Sequence, residues 1–205
     1  LREAMTSIVL AGGRGLRLGR GGKLSETIGG RTLLQRVIDC LIPLSNEILV
    51  VIAQGQSEPA LPGSVVRIVT DLYPGKGALG GIYTGLVASS SFHNLVVACD
   101  MPFLNSLLLG YMIQLSPGFD VIIPRVEAKL EPLHAIYSRD CLTPIRQQIE
   151  QGNLKISNLL ERVKVRYVEE GEINRFDPKH LSFFNINTRT DLEMAKAKIE
   201  KSKTG

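Results

Sequence analysis

The sequence is poor in the residue types that mark several classes of protein. Its 205 residues include no tryptophan, three histidines and three cysteines, and only 5% of them are aromatic. Cys40, Cys99 and Cys141 lie far apart and form no CxxC pair, so the spacing indicates neither a zinc site nor a disulfide framework. The scattered histidines give no support to a metalloprotease-like centre. We therefore expect a protein of the reducing cytoplasm.

Long apolar runs and strong charge runs are also missing. No apolar stretch approaches the ~18 residues of a membrane span, and the N-terminus lacks the apolar core of a signal peptide. The 24 basic and 20 acidic residues leave a net charge of +4, with only a mild basic run near the C-terminus. Nucleic-acid binders normally concentrate lysine and arginine into a stripe. We expect no nucleic acid and no membrane as partner, whereas small anionic substrates such as nucleotides fit the mild positive excess.

What the sequence does contain is an alternation of β and α patterns. Short runs rich in valine and isoleucine alternate with stretches of helical period, which is typical of a mostly parallel sheet. The predicted strands are 7–10, 47–52, 65–70, 95–98, 120–124, 133–137 and 164–168, and the predicted helices are 32–41, 79–88, 106–115, 139–151, 157–162 and 190–201. We expect one doubly wound α/β domain over residues 5–201, with 1–4 as added or extension residues and 202–205 as a tail.

A glycine-rich loop follows the first strand. Residues 11–23 contain six glycines and four cationic side chains, so backbone N–H groups and positive charges can meet phosphate oxygens there. A P-loop would need glycine at Arg17 and serine or threonine at Leu24, and a dinucleotide fingerprint would need glycine at Leu18. Neither pattern fits. A triphosphate-binding loop is the favoured interpretation, and a mobile surface turn is the alternative.

Two aspartates end predicted strands, at the edge where open parallel sheets bind ligands. Asp100 follows an apolar run and precedes Met101-Pro102, so it is a candidate ligand of Mg²⁺. A cap of the next helix is the alternative role for Asp100. Asp71 is a candidate contact of ribose or base, or it starts the turn at 72–75. Residues 75–81 open a helix with glycines, which suits an anion, a flat base or close helix-to-sheet packing.

Four segments together resemble one enzyme family, the molybdenum cofactor guanylyltransferases, which are MobA-like nucleotidyltransferases with a Rossmann-like fold. The resemblance runs from Ser7 almost to the C-terminus, with weaker similarity at 132–137. The segments that carry it are LAGGxxxRxGxxxK at 10–23, Asp71 with GALGG at 77–81, CDMP at 99–102, and FNINTxxDL at 184–192.

The resemblance implies transfer of GMP from GTP to the terminal phosphate of molybdopterin, with release of pyrophosphate and with Mg²⁺ as cofactor. It also implies molybdoenzyme maturation proteins as candidate partners. Asp100 would hold Mg²⁺, and Asn185 and Asn187 match asparagines near the reaction centre. The positions expected to contact the nucleotide are Leu10, Ala11, Gly12, Gly13, Lys23, Asp71, Gly80 and Asp100.

Charge neutralisation on the phosphates leads to the same catalytic residues. Arg17 and Lys23 on the α- and β-phosphate oxygens, with Mg²⁺ on Asp100, could supply most of the chemistry of nucleotidyl transfer. An acceptor phosphate monoester is already anionic near neutral pH, because its second pKa is about 6. No general base is required, and none of the motif loops contains a histidine.

Three positions depart from the family pattern and bear on base recognition. Gly22 stands where an aspartate commonly precedes the lysine, Ala78 where proline is usual, and Ala53 where some members have an asparagine that touches the nucleotide. CMP transfer from CTP to molybdopterin and GMP transfer to a cobamide precursor therefore stay open. A nucleotide-binding regulator without catalysis is the alternative from another class, and a structural or interaction module is the least favoured.

Overall fold

The computed structural model describes residues 5–12, 26–59 and 65–203. Seven helices and ten strands lie in these ranges. The strands are β1 (Thr6–Leu10), β2 (Thr27–Ile28), β3 (Arg31–Thr32), β4 (Glu47–Ile52), β5 (Val66–Thr70), β6 (His93–Ala98), β7 (Val121–Val126), β8 (Lys129–Leu130), β9 (His134–Ser138) and β10 (Val165–Glu169). The helices are α1 (Leu33–Leu41), α2 (Gly77–Ala88), α3 (Ser106–Gln114), α4 (Leu142–Glu150), α5 (Ile156–Leu160), α6 (Glu170–Ile173) and α7 (Arg189–Lys203).

The main sheet has the strand order β10-β7-β9-β6-β1-β4-β5, with β8 added beside β7. β1 pairs in parallel with β4 and β6, β4 with β5, and β10 with β7. β9 runs antiparallel to β6 and β7, so those two strands point the same way. The predicted mostly parallel sheet is confirmed. The ends of β1, β4, β5 and β6 meet at one border, which we call the carboxyl edge.

Helices cover both faces of the sheet. All five residues of β1 are buried, and because successive side chains of a strand point to opposite faces, both faces must be covered. Val9 belongs to a core cluster with residues of α1 and α3, whereas Ile8 and Leu10 belong to a second cluster with residues of α2, α4 and α5. A smaller third cluster joins Ile28 of the β2–β3 hairpin to Leu192 of α7. The predicted α/β architecture with helices on both faces is confirmed.

Close packing explains two glycines of α2. A Cβ at position 85 would overlap with the Ile8 side chain of β1, and one at position 81 would lie 3.1 Å from Leu10 Cδ2. Helix α2 can approach the sheet this closely because both positions lack a side chain. Close helix-to-sheet packing, one of the alternatives for the glycine segment, is therefore the role of Gly81.

Several predicted boundaries and elements were wrong. The helix expected at 79–88 begins at Gly77, and the helix expected at 139–151 is a 3-10 turn over Arg139–Cys141 followed by α4. The hairpin β2–β3, strand β8 and helix α6 were not predicted, because elements of two to four residues are too short to show a periodicity. Within the described ranges, no helix has the length and apolar character of a membrane span.

Candidate active site

The start of the glycine-rich loop is fixed by neighbouring strands. Leu10 and Ala11 are buried; the Leu10 carbonyl accepts a hydrogen bond from the Cys99 N–H at 3.1 Å, and the Ala11 N–H donates to the Val51 carbonyl at 2.8 Å. Gly12 is exposed, but a Cβ there would lie 2.8 Å from the Ala53 nitrogen. A bound nucleotide could therefore meet backbone atoms at this point, and only glycine fits at position 12.

Gln56 is a structural residue of this corner that the sequence analysis missed. Its Nε2 donates to the Ala11 carbonyl at 3.1 Å, and its Oε1 accepts from the Ala53 N–H at 3.2 Å. One amide thereby joins the ends of β1 and β4. A single glutamine in an irregular loop follows no periodic pattern, so the sequence holds no signal for this role.

Three of the predicted phosphate residues, Gly13, Arg17 and Lys23, fall within 13–25, outside the described residues. Their contacts with phosphate remain predictions.

Asp71 starts a turn at the end of β5. Its Oδ1 accepts from the Tyr73 N–H at 3.0 Å and lies 2.9 Å from the Thr84 hydroxyl. The same hydroxyl accepts from the Leu72 N–H at 3.0 Å, so Thr84 of α2 holds the turn against the helix. The turn-starting role considered for Asp71 is therefore present, and its contact with a nucleotide remains a prediction.

Gly80 faces this turn from the first part of α2. A Cβ on Gly80 would lie 3.0 Å from the Tyr73 carbonyl oxygen and 3.1 Å from Lys76 Cβ. Gly75 and Gly77 have φ angles of +80° and +61°, in the left-handed region that favours glycine. The segment thus folds back onto itself, and the predicted nucleotide contact of Gly80 would be made where turn and helix meet.

Asp100 lies two residues beyond the end of β6, at the carboxyl edge, and is half-buried. The next helix, α3, begins at Ser106 and is capped by Asn105, whose Oδ1 accepts from the N–H groups of Leu107 at 2.9 Å and Leu108 at 3.1 Å. The helix-cap alternative for Asp100 is therefore wrong. A carboxylate at this edge is placed to meet a ligand that lies beyond the strand ends.

The second half of the chain returns to Asp100 through residues 181–188, which we call the strap. The Ile186 N–H donates to the Asp100 carbonyl at 3.0 Å. Asn185 and Asn187 flank this bond; Asn185 is half-buried, with Nδ2 donating to the Phe183 carbonyl at 3.1 Å, and Asn187 is exposed. The structure therefore brings both asparagines to Asp100, from a sequence distance of about 85 residues.

The segment 132–137 lies under the strap. The Ala98 N–H of β6 donates to the Leu133 carbonyl at 3.1 Å. The ring of His134 is fully buried, with its centroid 4.8 Å from that of Phe183. Burial lowers the pKa of His134 to about 4, although the charge of Asp177 works in the opposite direction. His134 is therefore neutral near pH 7 and packs as part of the core.

Comparisons with known proteins agree with this arrangement. Residues 7–166 match the family model described as the MobA-like NTP transferase domain. The chain belongs to the MobA-like NTP transferase family. Membership makes it a nucleotidyltransferase, and the family match includes the ends of β1, β4, β5 and β6 with Asp71 and Asp100.

Relatives of this MobA-like transferase match it along nearly its whole length. A protein of Pelotomaculum thermopropionicum, named a probable molybdenum cofactor guanylyltransferase, is 37% identical over 98% of this chain and 96% of its own. The molybdenum cofactor guanylyltransferase of Desulfosudis oleivorans is 34% identical over 97% of both.

Solved structures share the fold of this transferase. The molybdopterin-guanine dinucleotide biosynthesis protein A of Archaeoglobus fulgidus superposes with a TM-score of 0.79 at 29% identity, covering 96% of this chain and 99% of that one. A Thermus thermophilus 2-C-methyl-D-erythritol 4-phosphate cytidylyltransferase has a TM-score of 0.68 at 17% identity, covering 94% and 98%. The second similarity shows the fold alone.

Proposed function

We propose that this MobA-like transferase moves GMP from GTP to the terminal phosphate of molybdopterin and releases pyrophosphate. Relatives named as molybdenum cofactor guanylyltransferases, 34% and 37% identical along nearly the full chain, support the substrates. The main structural support for the location of the site is the hydrogen bond from the Ile186 N–H to the Asp100 carbonyl. This bond brings Asn185 and Asn187 beside the end of β6. Proteins that load the finished cofactor into molybdoenzymes are the partners we expect, in the cytoplasm.

The nucleotide would lie over the carboxyl edge. Backbone atoms of residues 10–12, the turn at Asp71 and the start of α2 at Gly80 border this place. Arg17 and Lys23 would neutralise the phosphates from the glycine-rich loop. Asn185 and Asn187 would face the acceptor. The strap reaches Asp100 from the face of the sheet opposite α2, since its Phe183 packs against the cluster of α1 and α3 whereas α2 belongs to the other cluster.

The reaction needs positioning more than proton transfer. An oxygen of the acceptor phosphate forms the new bond to the α-phosphorus of GTP, while the bond from that phosphorus to the α,β-bridging oxygen breaks and pyrophosphate leaves. The acceptor is already anionic near neutral pH, because the second pKa of a phosphate monoester is about 6. A general base is not required, which is consistent with His134 being a buried, neutral core residue.

Mg²⁺ is the cofactor that we propose, held by Asp100. The described residues contain no cluster of three or more acidic, histidine or cysteine side chains that could enclose a metal ion. Mg²⁺ does not need one, since it commonly binds through one or two carboxylates together with substrate phosphates. The half-buried Asp100 carboxylate fits that requirement. When bound, Mg²⁺ would offset the charge that develops on the phosphate oxygens.

Calorimetric titration with the four nucleoside triphosphates in saturating Mg²⁺ tests the choice of nucleotide. We expect GTP to bind at least about tenfold more tightly than CTP, a difference of about 1.4 kcal/mol. The same protein is then incubated with each triphosphate and either molybdopterin or a cobamide precursor, and the products are identified by mass spectrometry. Tighter binding of CTP with a cytosine dinucleotide product would overturn the guanylyl assignment. Formation of product with the cobamide precursor, and none with molybdopterin, would overturn the assignment of molybdopterin as the acceptor.

A further inference from the structure

Three aspartates hold the strap: Asp100 through its backbone carbonyl, and Asp177 and Asp191 through carboxylates that have no part in the proposed reaction. It runs between α6 and α7 and contains one 3-10 turn, Leu181–Phe183, followed by irregular backbone. It has no strand ladder to fix its shape, so its N–H groups must find other acceptors or water. Five of those N–H groups in the eight residues are held by three aspartates.

Asp177 holds the beginning of the strap. Its carboxylate accepts from the N–H of Leu181 at 3.1 Å on Oδ1 and from the N–H of Ser182 at 2.7 Å on Oδ2. The chain turns back between Asp177 and Leu181. His180 in this turn has a left-handed φ of 52° and donates its N–H to the Asp177 carbonyl at 3.0 Å. Both oxygens of Asp177 are therefore used to shape the backbone that leads into the strap.

Asp100 and Asp191 hold the remainder. The Asp100 carbonyl accepts from Ile186 N–H in the middle of the strap. At its end, Oδ2 of Asp191 accepts from the N–H groups of Asn187 at 3.0 Å and Thr188 at 2.7 Å. The Thr188 hydroxyl accepts in return from the Asp191 N–H at 3.1 Å, so this end also caps α7. Asn185 and Asn187 thus lie on backbone that is fixed on both sides.

Asp177 is buried, so its charge depends on the hydrogen bonds that it accepts from the strap. Only 6% of its surface is exposed, and among the described residues its carboxylate makes no ion pair with lysine or arginine. Removing a carboxylate from water is expensive unless strong hydrogen bonds replace the lost hydration. Here the replacement is two backbone N–H groups of one segment, so the charge is balanced only while the strap keeps this shape.

We propose that Asp177 is a positioning residue for the acceptor, acting by fixing the strap that presents Asn185 and Asn187 at Asp100. This inference rests on the proposed function, in which the acceptor is a phosphate monoester that must meet the α-phosphorus in line. Nucleotidyl transfer depends on such alignment. A displacement of about 1 Å in a reacting group can reduce a rate about a hundredfold.

Asp177→Asn is the variant that tests it. Asparagine keeps the size of the side chain, but its NH₂ group would face one of the two backbone N–H donors. We expect the KM for molybdopterin to rise by about tenfold, or 1.4 kcal/mol, while the Kd of GTP changes less than twofold. Hydrogen exchange should become faster at the amides of 181–186 and stay unchanged in α2.

Asp120→Asn is the matched control. The Asp120 carboxylate accepts from the Lys164 N–H at 2.8 Å and from the Ser138 hydroxyl at 3.3 Å. It precedes β7 and therefore lies at the sheet edge opposite the site. The control should lose stability as Asp177→Asn does, with an unchanged KM for molybdopterin. An equal rise in KM in both variants would overturn the proposal, because the effect would then follow stability alone.

Asp191→Asn provides the second test if Asp177→Asn does not fold. It removes the charge at the more exposed end of the strap, and we expect a smaller rise in the KM for molybdopterin, about threefold. Unchanged KM and unchanged strap exchange in the variant that folds would overturn the proposal. Failure of the wild-type protein to make any dinucleotide would refute the proposed function instead, and hydrogen exchange would still decide whether Asp177 fixes the strap.

Discussion

The two sides of the candidate site are built by opposite means. On the nucleotide side, parallel strands hold one another in register, and glycines let backbone segments approach closely: Gly12 lies against the end of β4 and Gly85 against β1. On the strap side there is no ladder, and carboxylates hold the backbone, as Asp177 and Asp191 do.

The difference indicates which changes each side tolerates. At Gly12 and Gly85 the nucleotide side has no room for added atoms, whereas the strap side depends on charges that accept hydrogen bonds. A methyl group should therefore damage the first side, and the loss of a single charge should damage the second. Asp100 belongs to both, because it follows β6 of the sheet and its carbonyl holds the strap.

The largest effect is expected where the two sides meet. Asp100→Asn keeps the size of the side chain and the backbone carbonyl that accepts from Ile186, but it removes the charge that would hold Mg²⁺. We expect transfer to fall by about a thousandfold, or about 4 kcal/mol, since charge neutralisation by the metal is lost. The thermal midpoint should stay equal or rise slightly, because a half-buried charge is removed.

Transfer rate and thermal midpoint are measured on one preparation of Asp100→Asn across a Mg²⁺ titration. Full Mg²⁺-dependent activity would remove Asp100 from the site. An unfolded variant would give it a structural role instead.

The close approach of α2 to β1 is tested by Gly85→Ala. The added methyl would overlap with Ile8, so we expect the free energy of unfolding to fall by up to about 3 kcal/mol. Gly110→Ala in α3 is the control, since a Cβ there has ordinary space, 4.0 Å from Leu44 Cδ2. It should stabilise the protein by about 0.5–1 kcal/mol through helix propensity. Urea unfolding measures both; similar effects at the two positions would contradict the packing argument.

The buried His134 beneath the strap should make stability depend on pH. Its pKa is about 4 in the folded protein, against the ordinary histidine value of 6.5 that applies in the unfolded chain. Between these two pH values the unfolded chain therefore binds more protons than the folded protein. The contribution of the neutral His134 to stability is therefore fully present above pH 6.5 and is lost as the pH falls towards 4. From pH 7 to pH 5 the expected loss from this group is about 2 kcal/mol.

Urea unfolding of the wild type and of His134→Leu at both pH values tests this contribution. The variant should lose about 2 kcal/mol less than the wild type between pH 7 and pH 5. Burial alone would raise the pKa of Glu172, but hydrogen bonds from Arg166 and Tyr111 outweigh it and lower this pKa to about 2. The stability that Glu172 contributes is therefore present above its ordinary value of 4.5 and is lost only as the pH falls below it, outside the range between pH 7 and pH 5. Identical pH dependence in the two proteins would show that His134 does not cause the loss.

The smallest effect is expected at Gln56. Gln56→Ala removes the two hydrogen bonds that join Ala11 and Ala53, and a hydrogen bond contributes about 1 kcal/mol net. We expect the Kd of GTP to rise by about threefold to fivefold and the KM for molybdopterin to stay unchanged. Calorimetry and steady-state kinetics separate the two. A change confined to molybdopterin would contradict the assignment of this corner to the nucleotide side.

The same contrast explains how far the sequence could predict the molecule. The strands of the main sheet leave apolar runs in the sequence, and Asp71 and Asp100 stand out because each follows such a run. The position of the strap beside Asp100 was expected only from the family resemblance of 184–192. Nothing in the sequence indicated Asp177, because its two partners are backbone N–H groups of a segment without periodicity, and Gln56 was missed for the same reason.

The central claim is that this chain transfers a nucleotidyl group, with the nucleotide side holding GTP and the strap side presenting the acceptor to it. The most direct test incubates the protein with Mg²⁺, molybdopterin and GTP labelled either at the α- or at the γ-phosphorus. We expect the α label in a guanine dinucleotide and the γ label in pyrophosphate, in equal amounts. Release of the γ label as inorganic phosphate, or GTP bound but unconverted while molybdopterin is present, would contradict the account.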